Sequence, residues 1–217
     1  MRIYIDSADM TEIKEALASG FVYGVTTNPT LLRRAGVRAA VVSDFTQRVI
    51  AFGVKELHLQ TYSGTRAGII EEGTMLSELA PKRVVVKIPA TPIGYSAAAQ
   101  LAAKGIRVTL TAVYTVRQAV VAQSVGAHFI AVYLGRMRDQ GLDALEMVTL
   151  MQRAIDVQGS PVEILAASVR TPDEIEVLAL AGVATATLPI KVLRELVDSP
   201  ATSAAASTFL EDAKEIQ

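Results

Sequence analysis

Eight short β-type runs alternate with longer segments of helical periodicity along the whole chain, and that alternation leaves few folds open. The runs are Arg2 to Asp6, Val22 to Thr26, Glu56 to Thr61, Arg83 to Ile88, Arg107 to Ala112, His128 to Tyr133, Val162 to Ala167 and Thr185 to Leu188. Between them apolar residues recur at helical spacing, as in Met10, Ile13 and Leu17, in Val41, Phe45, Val49 and Phe52, and in Leu145, Val148, Met151 and Ile155. Ser7 or Asp9 can cap the first helix, and Thr171-Pro172-Asp173 opens the helix after the seventh run. The runs are largely apolar rather than cleanly alternating, the pattern of parallel strands covered on both faces. An α/β fold closed into a single (β/α)8 TIM barrel is the economical architecture. An open doubly wound sheet is the competitor, but Ile5-Asp6-Ser7-Ala8 lacks the glycines of a dinucleotide loop.

No Pro/Gly/Ser-rich linker divides the chain, so residues 1–217 are expected to form one domain. At 217 residues, against roughly 250 for such barrels, there is little room for lids. Residues 200–217 form an additional C-terminal helix with Phe209 and Leu210 on one side. That helix is not needed to close a barrel and is expected to dock on the barrel or on a neighbouring subunit.

Composition narrows the chemistry. Without cysteine there is no thiol nucleophile, disulfide or thiolate metal site, and the histidines are only His58 and His128. A net charge of −1 provides no broad basic surface for nucleic acid or an anionic membrane. Any anionic ligand must therefore be held by a few local groups. Neither a signal-peptide pattern nor a membrane-length apolar run is present, so a cytoplasmic protein is expected. With no carboxylate cluster beside His58, no metal site is expected.

In a barrel of this kind chemistry gathers at the carboxyl ends of the strands. Those ends carry Asp6, Thr26-Thr27-Asn28, Gln60, Lys87, Thr111, Tyr133 and Ser168. Polar groups at buried strand ends cost free energy unless paired, so their concentration favours a reaction site. Lys87, in Val84-Val-Val-Lys87-Ile-Pro89, follows a fully apolar run. Burial disfavours the charged form of an amine, and the neutral form is the one that attacks a carbonyl. Lys191 is the alternative nucleophile. Arg136, Ser168 and Arg170 can bind a phosphate at the barrel mouth, the alternative being that the arginines form surface ion pairs. His58 shares the face of Gln60 deeper in the barrel and is expected to be a satisfied core histidine, and His128 to be structural.

The segments Ile3-Tyr-Ile-Asp6-Ser-Ala, Gly24-Val-Thr-Thr-Asn-Pro29, Val85-Val-Lys87-Ile-Pro89, Thr111-Ala-Val-Tyr114 and Leu165-Ala-Ala-Ser168 resemble, in order and spacing, the small transaldolase family, which includes fructose-6-phosphate aldolase. The resemblance covers nearly the whole chain. It implies a (β/α)8 barrel and a cofactor-free class I reaction in which Lys87 forms a Schiff base with a ketose. Asp6 would act as base on the C4 hydroxyl during C3–C4 cleavage, and Asn28 and Thr111, with Thr26 beside them, would position a dihydroxyacetone enamine. Sugar phosphates and dihydroxyacetone are the implied partners. Arg136, Ser168 and Arg170 would receive the phosphate.

Gln60, Tyr133 and Ala131 look like the aldolase, where transaldolases carry Glu, Phe and Ser. Ser168-Val-Arg170 and Pro189-Ile-Lys-Val-Leu193 look more like transaldolases, while Thr109 replaces their usual Asn. Weighting the residues nearest the reactive carbon, aldolase-type release of the enamine leads, with transfer to an acceptor aldehyde as the alternative. A barrel that binds sugar phosphates without turnover is a further alternative. The resemblance also implies a ring-based homo-oligomer, a decamer among the possible forms, with the C-terminal helix reaching a neighbour.

Overall fold

The computed structural model describes residues 1–216. Eight parallel strands close in sequence order into a barrel. They are β1 (Arg2–Asp6), β2 (Val22–Thr26), β3 (Glu56–Gln60), β4 (Val84–Pro89), β5 (Val108–Val113), β6 (Phe129–Tyr133), β7 (Glu163–Ala167) and β8 (Thr185–Leu188). The expected runs are all present, with ends shifted by one residue in five of the eight.

The surrounding helices are α1 (Met10–Ala18), α2 (Pro29–Arg34), α3 (Val42–Ala51), α4 (Arg66–Glu78), α5 (Pro92–Ala103), α6 (Val116–Ser124), α7 (Leu134–Asp139), α8 (Ala144–Val157), α9 (Asp173–Leu180), α10 (Ile190–Val197) and α11 (Pro200–Glu215). Asp9 caps α1, accepting from the Thr11 and Glu12 amides. The expected cap at Thr171 is absent: Pro172 precedes α9, and the Glu174 carboxylate instead accepts from the Arg170 amide. Two short helices were not anticipated. They are α2 and α7, of six residues each, inserted after β2 and β6 ahead of the longer helices that complete those units. Their apolar periodicity is too brief to register in a helical window.

The strands alternate more strictly than their hydropathy suggests. Outward residues such as Ile3, Ile5, Leu57, Leu59, Val86, Ile88, Val108 and Leu110 join the large aliphatic core beneath the helices. The inner face is a separate, smaller cluster of Tyr4, Val85, Phe129, Ala131 and Leu165. The remaining inner positions are largely polar, among them His58, Lys87, Thr109, Thr111, Thr185 and Thr187, all buried. Burial on both faces hides this alternation in hydropathy, because inner positions are occupied by apolar side chains wherever no polar partner is available.

Toward the amino end of the barrel most of the polar groups are paired. The Tyr4 hydroxyl donates to Glu56 Oε2 at 2.7 Å, Arg107 forms an ion pair with the same carboxylate, and Arg2 pairs with Glu163. Burial alone would raise the Glu56 carboxyl, but His58, Tyr4 and Arg107 together hold it down at about 2. His58, fully buried, shares a 2.9 Å hydrogen bond between Nδ1 and the Thr109 hydroxyl and packs edge-on to Tyr4. It is a core histidine, but not a fully satisfied one as expected: its Nε2 is buried 3.7 Å from Glu56 Oε2 without a hydrogen-bond partner among the described residues. His128 lies just ahead of β6 at the amino end.

Gly24 makes this arrangement possible. The register between β1 and β2 shifts so that Ile3 pairs with Val22 and Tyr4 with Gly24. A Cβ at Gly24 would sit 2.6 Å from the Tyr4 ring and 2.7 Å from the Glu56 carbonyl oxygen. Gly24→Ala is expected to destabilise the protein by about 1–3 kcal/mol through overpacking, read as a lower urea midpoint at unchanged m-value. A midpoint equal to that of the parent chain would contradict the packing described.

Candidate active site

The carboxyl ends of the strands open into a cavity of about 450 Å³. It is lined by Asp6, Asn28, Gln60, Lys87, Tyr133, Arg136 and Ser168, all anticipated from the sequence, and also by Arg34 and Thr187, which were not. Apolar wall comes from Ala131, Leu165 and Ala167.

Lys87 sits on the inner face of β4, paired in register with Gln60 on β3 and Thr109 on β5. It is 3% exposed, and its Nζ donates to the Thr27 carbonyl at 2.9 Å. That carbonyl is held in place because the Thr27 amide and hydroxyl both donate to the His58 carbonyl, at 3.1 and 2.8 Å. The amine is therefore anchored by one backbone oxygen and opens on a cavity large enough for a small sugar, an arrangement suited to a nucleophile. Lys191, the alternative, lies on α10 with its side chain 84% exposed, 3.8 Å from Glu195.

The rest of Thr26-Thr27-Asn28-Pro29 is explained residue by residue. The Thr26 hydroxyl donates to Asp6 Oδ1 at 2.7 Å and lies 2.6 Å from the Thr187 hydroxyl. Having given its proton to the carboxylate, Thr26 must accept from Thr187. Asn28 caps α2, its Oδ1 accepting from the Leu31 amide at 3.0 Å, and Pro29 occupies the first helical turn. Burial pushes the Asp6 carboxyl up, while the Lys87 charge and the Thr26 hydrogen bond pull it down, and burial prevails. A buried carboxyl raised in this way, in a cleft beside an amine, is suited to proton transfer.

Across the barrel the Thr111 hydroxyl donates to the Tyr133 hydroxyl at 3.0 Å. Ala112 has φ of +58°, and between Leu110 and Val113 the register against β6 slips by one residue. This bulge, in a conformation few non-glycine residues adopt, lies beside Thr111 and sets its direction. Ser168, at the end of β7, shares the same left-handed region with φ of +58°. Such residues cluster at functional sites, and Ser168 lines the cavity, whereas Lys82 adopts the same region away from it.

Arg136, on α7, lines the cavity beside Ser168 and is in no ion pair among the described residues. Arg170 does not line it: its guanidinium donates to Asp139 at 2.6 Å, the surface pairing that the sequence left open. It nevertheless lies close to Ser168, because a Cβ at Gly135 would fall 2.6 Å from both Arg170 Nε and Ser168 Oγ. The Gly135 amide donates to the Ser168 carbonyl at 3.1 Å, so a residue without a side chain holds the two groups together. Thr187 was legible in the alternation of Thr185-Ala-Thr187-Leu. Arg34 was not, because it lies on a helix rather than at a strand end.

Removing the Thr26 hydroxyl takes away one of the two interactions that favour ionised Asp6. In Thr26→Val the Asp6 titration, followed by the carboxyl carbon NMR shift, is expected to move to higher pH. A shift to lower pH, or none, would contradict the assignment of that hydrogen bond.

A family model described as Transaldolase/Fructose-6-phosphate aldolase matches residues 3–217. Relatives named "Probable transaldolase" include one from Heliobacterium modesticaldum, 35% identical over 212 residues, covering 98% of this chain and 97% of the relative. Another, from Pelotomaculum thermopropionicum, is 35% identical over 217 residues, covering 100% and 99%. Among solved structures, a flavocytochrome b2 mutant with pyruvate bound superposes with a TM-score of 0.65 at 10% identity, covering 89% of this chain. A mandelate oxidase mutant gives 0.64 at 13%, covering 88%. This chain spans 57% and 65% of those two proteins, and at such identities the likeness concerns the barrel alone. Whole-length matches to the family model and to relatives at 35% identity show that the chain belongs to the transaldolase/fructose-6-phosphate aldolase family.

Proposed function

We propose that the protein is a class I aldol enzyme that cleaves or forms the C3–C4 bond of ketose phosphates such as fructose 6-phosphate through a Schiff base on Lys87. The observation that carries this reading is the placement of Lys87: 3% exposed, anchored on the Thr27 carbonyl, and lining one cavity with Asp6. The Lys87 amine adds to the keto carbon and water leaves, giving an iminium ion. Asp6 takes the proton of the C4 hydroxyl as the C3–C4 bond breaks, the aldehyde departs, and the bonding pair flows into the iminium to give an enamine. Asn28 and Thr111, with Thr26 behind Asp6, hold the three-carbon unit. Arg136 and Ser168 receive the phosphate by charge-assisted hydrogen bonds, with Arg170 beside them.

The fate of the enamine separates two activities. The Tyr133 hydroxyl, bonded to Thr111 and lining the cavity with Gln60, is placed to hold a water that protonates the enamine and then hydrolyses the imine. That favours an aldolase releasing dihydroxyacetone. The second reading, transfer to an acceptor aldehyde, is supported by the names of the relatives. A barrel that binds sugar phosphates without turnover remains a third. The enzyme would act in the cytoplasm without a cofactor. Helix α11 supports assembly with further copies: none of its residues is buried, and Phe209 and Leu210 are 69% and 68% exposed.

Supplied with fructose 6-phosphate alone, the protein is expected to release free dihydroxyacetone. Supplied with erythrose 4-phosphate as well, it is expected to form little sedoheptulose 7-phosphate. Product only in the second experiment would establish the transaldolase, and product in neither would leave the binding barrel. Tyr133→Phe is expected to lower dihydroxyacetone release on the order of a hundredfold, while Schiff-base formation falls much less. Equal losses in both would contradict a water-handling role for Tyr133.

A further inference from the structure

Helix α7 is six residues long, too short to hold itself together in water, yet it carries Arg136. Leu134 and Met137, both fully buried, fix one face of it to the core. Gly135, Arg138 and Asp139, spaced i, i+3 and i+4, share a second face, and all three are tied to the segment between β7 and α9. The Gly135 amide donates to the Ser168 carbonyl, Arg138 pairs with Glu174, and Asp139 pairs with Arg170. Arg136 is left to line the cavity. These ties are unequal. The Arg170 and Asp139 side chains are both about half exposed, and a solvated pair of that kind contributes little. Glu174 is 6% exposed, and both of its carboxylate oxygens are used: one accepts from Arg138, the other from the Arg170 amide at 2.8 Å. Arg138 has no other carboxylate within ion-pair distance among the described residues, and its Nη2 is buried without a partner. Losing one side of a buried pair costs more than breaking a solvated one. Asp173 and Glu176, in the same first turn of α9, are exposed, so Glu174 is the carboxylate turned inward there.

We propose that Glu174 is a positioning residue for phosphate recognition: by joining α7 to the segment between β7 and α9, it sets the separation of Arg136 and Ser168. The proposal rests on the reading in which those two residues receive the phosphate of the sugar. Glu174 is not in the cavity wall and acts only through Arg138 and the Arg170 amide. A phosphate bonded to Arg136 and Ser168 together needs both donors in place at once, and a shift of α7 by about an ångström removes one of them. The other end of the site is built separately. Lys87 lies on β4 and is anchored on the Thr27 carbonyl, so neither of the segments that Glu174 joins holds it. Loss of Glu174 therefore weakens recognition of a phosphorylated sugar without disturbing imine formation at Lys87.

The test is borohydride trapping on the full chain, with fructose 6-phosphate and dihydroxyacetone titrated in parallel and the labelled fraction read by intact mass. Hydride reduces the imine to a stable secondary amine, so the adduct reports binding and condensation together. Dihydroxyacetone carries no phosphate, and its labelling reports Lys87 and the fold alone. Glu174→Ala is expected to raise the half-maximal concentration of fructose 6-phosphate on the order of tenfold, the effect of one charge-assisted contact. Its labelling at saturation, and the whole dihydroxyacetone titration, should match the wild type. Glu174→Gln keeps an oxygen for the Arg170 amide and should fall between the two. Arg138→Gln should shift fructose 6-phosphate in the same direction, and the double variant Arg138→Gln/Glu174→Gln should shift it less than the two single changes combined. Should Glu174→Ala fail to fold, the two glutamine variants carry the test. A fructose 6-phosphate titration unchanged in these variants, or equal shifts for both compounds, would overturn the positioning role and leave the aldol reading standing. Wild-type labelling by neither compound would overturn the aldol reading and this proposal with it.

Discussion

Polar side chains inside a closed parallel barrel have little water to solvate them, so most are held by partners on a neighbouring strand or on a turn at the strand's end. That constraint organises the molecule. At the amino end it produces the cluster of Tyr4, Glu56, Arg107, His58 and Thr109. At the carboxyl end it produces the chain Asp6, Thr26 and Thr187 and the anchoring of Lys87 on Thr27. Gly24 links the two ends, since it admits the Tyr4 ring below and leads directly into the Thr26-Thr27-Asn28 turn above. The aliphatic outer core stabilises the barrel, and the inner polar column decides where chemistry can occur.

The two rims differ in how far their polar groups are satisfied by protein. Toward the amino end, ion pairs and hydrogen bonds consume most of the charge. Around the cavity, among the described residues, Lys87 has one protein oxygen, Arg34 and Arg136 have no carboxylate partner, and Asn28 keeps its amide donors. Groups left partly unpaired at one end of a folded scaffold represent stability forgone, and they are concentrated where a ligand can supply the missing partners. The left-handed Ser168 adds local strain at the same rim.

The eight-unit order was legible because each strand is bounded by helical periodicity of normal length, and Lys87 because it interrupts a run of valine and isoleucine. Asp6, Gln60 and Tyr133 were legible as strand ends. Helices α2 and α7 were not, since six residues give too few turns for a periodic signal, and Arg34 was hidden with them. The partner of Arg170 was not legible. The arginine's position after β7 is that of an anion ligand, but which partner a surface guanidinium takes depends on Asp139, thirty-one residues away in sequence. The inner alternation of the strands was obscured by Val85, Phe129, Ala131 and Leu165, inner residues as apolar as the outer ones.

The whole account turns on one covalent bond at one nitrogen. Incubation with fructose 6-phosphate, reduction with borohydride and peptide mapping locates that bond directly. A dihydroxyacetone-sized adduct on Lys87, absent from Lys87→Ala, is the predicted result. An unmodified Lys87, or an adduct confined to Lys191, would contradict it.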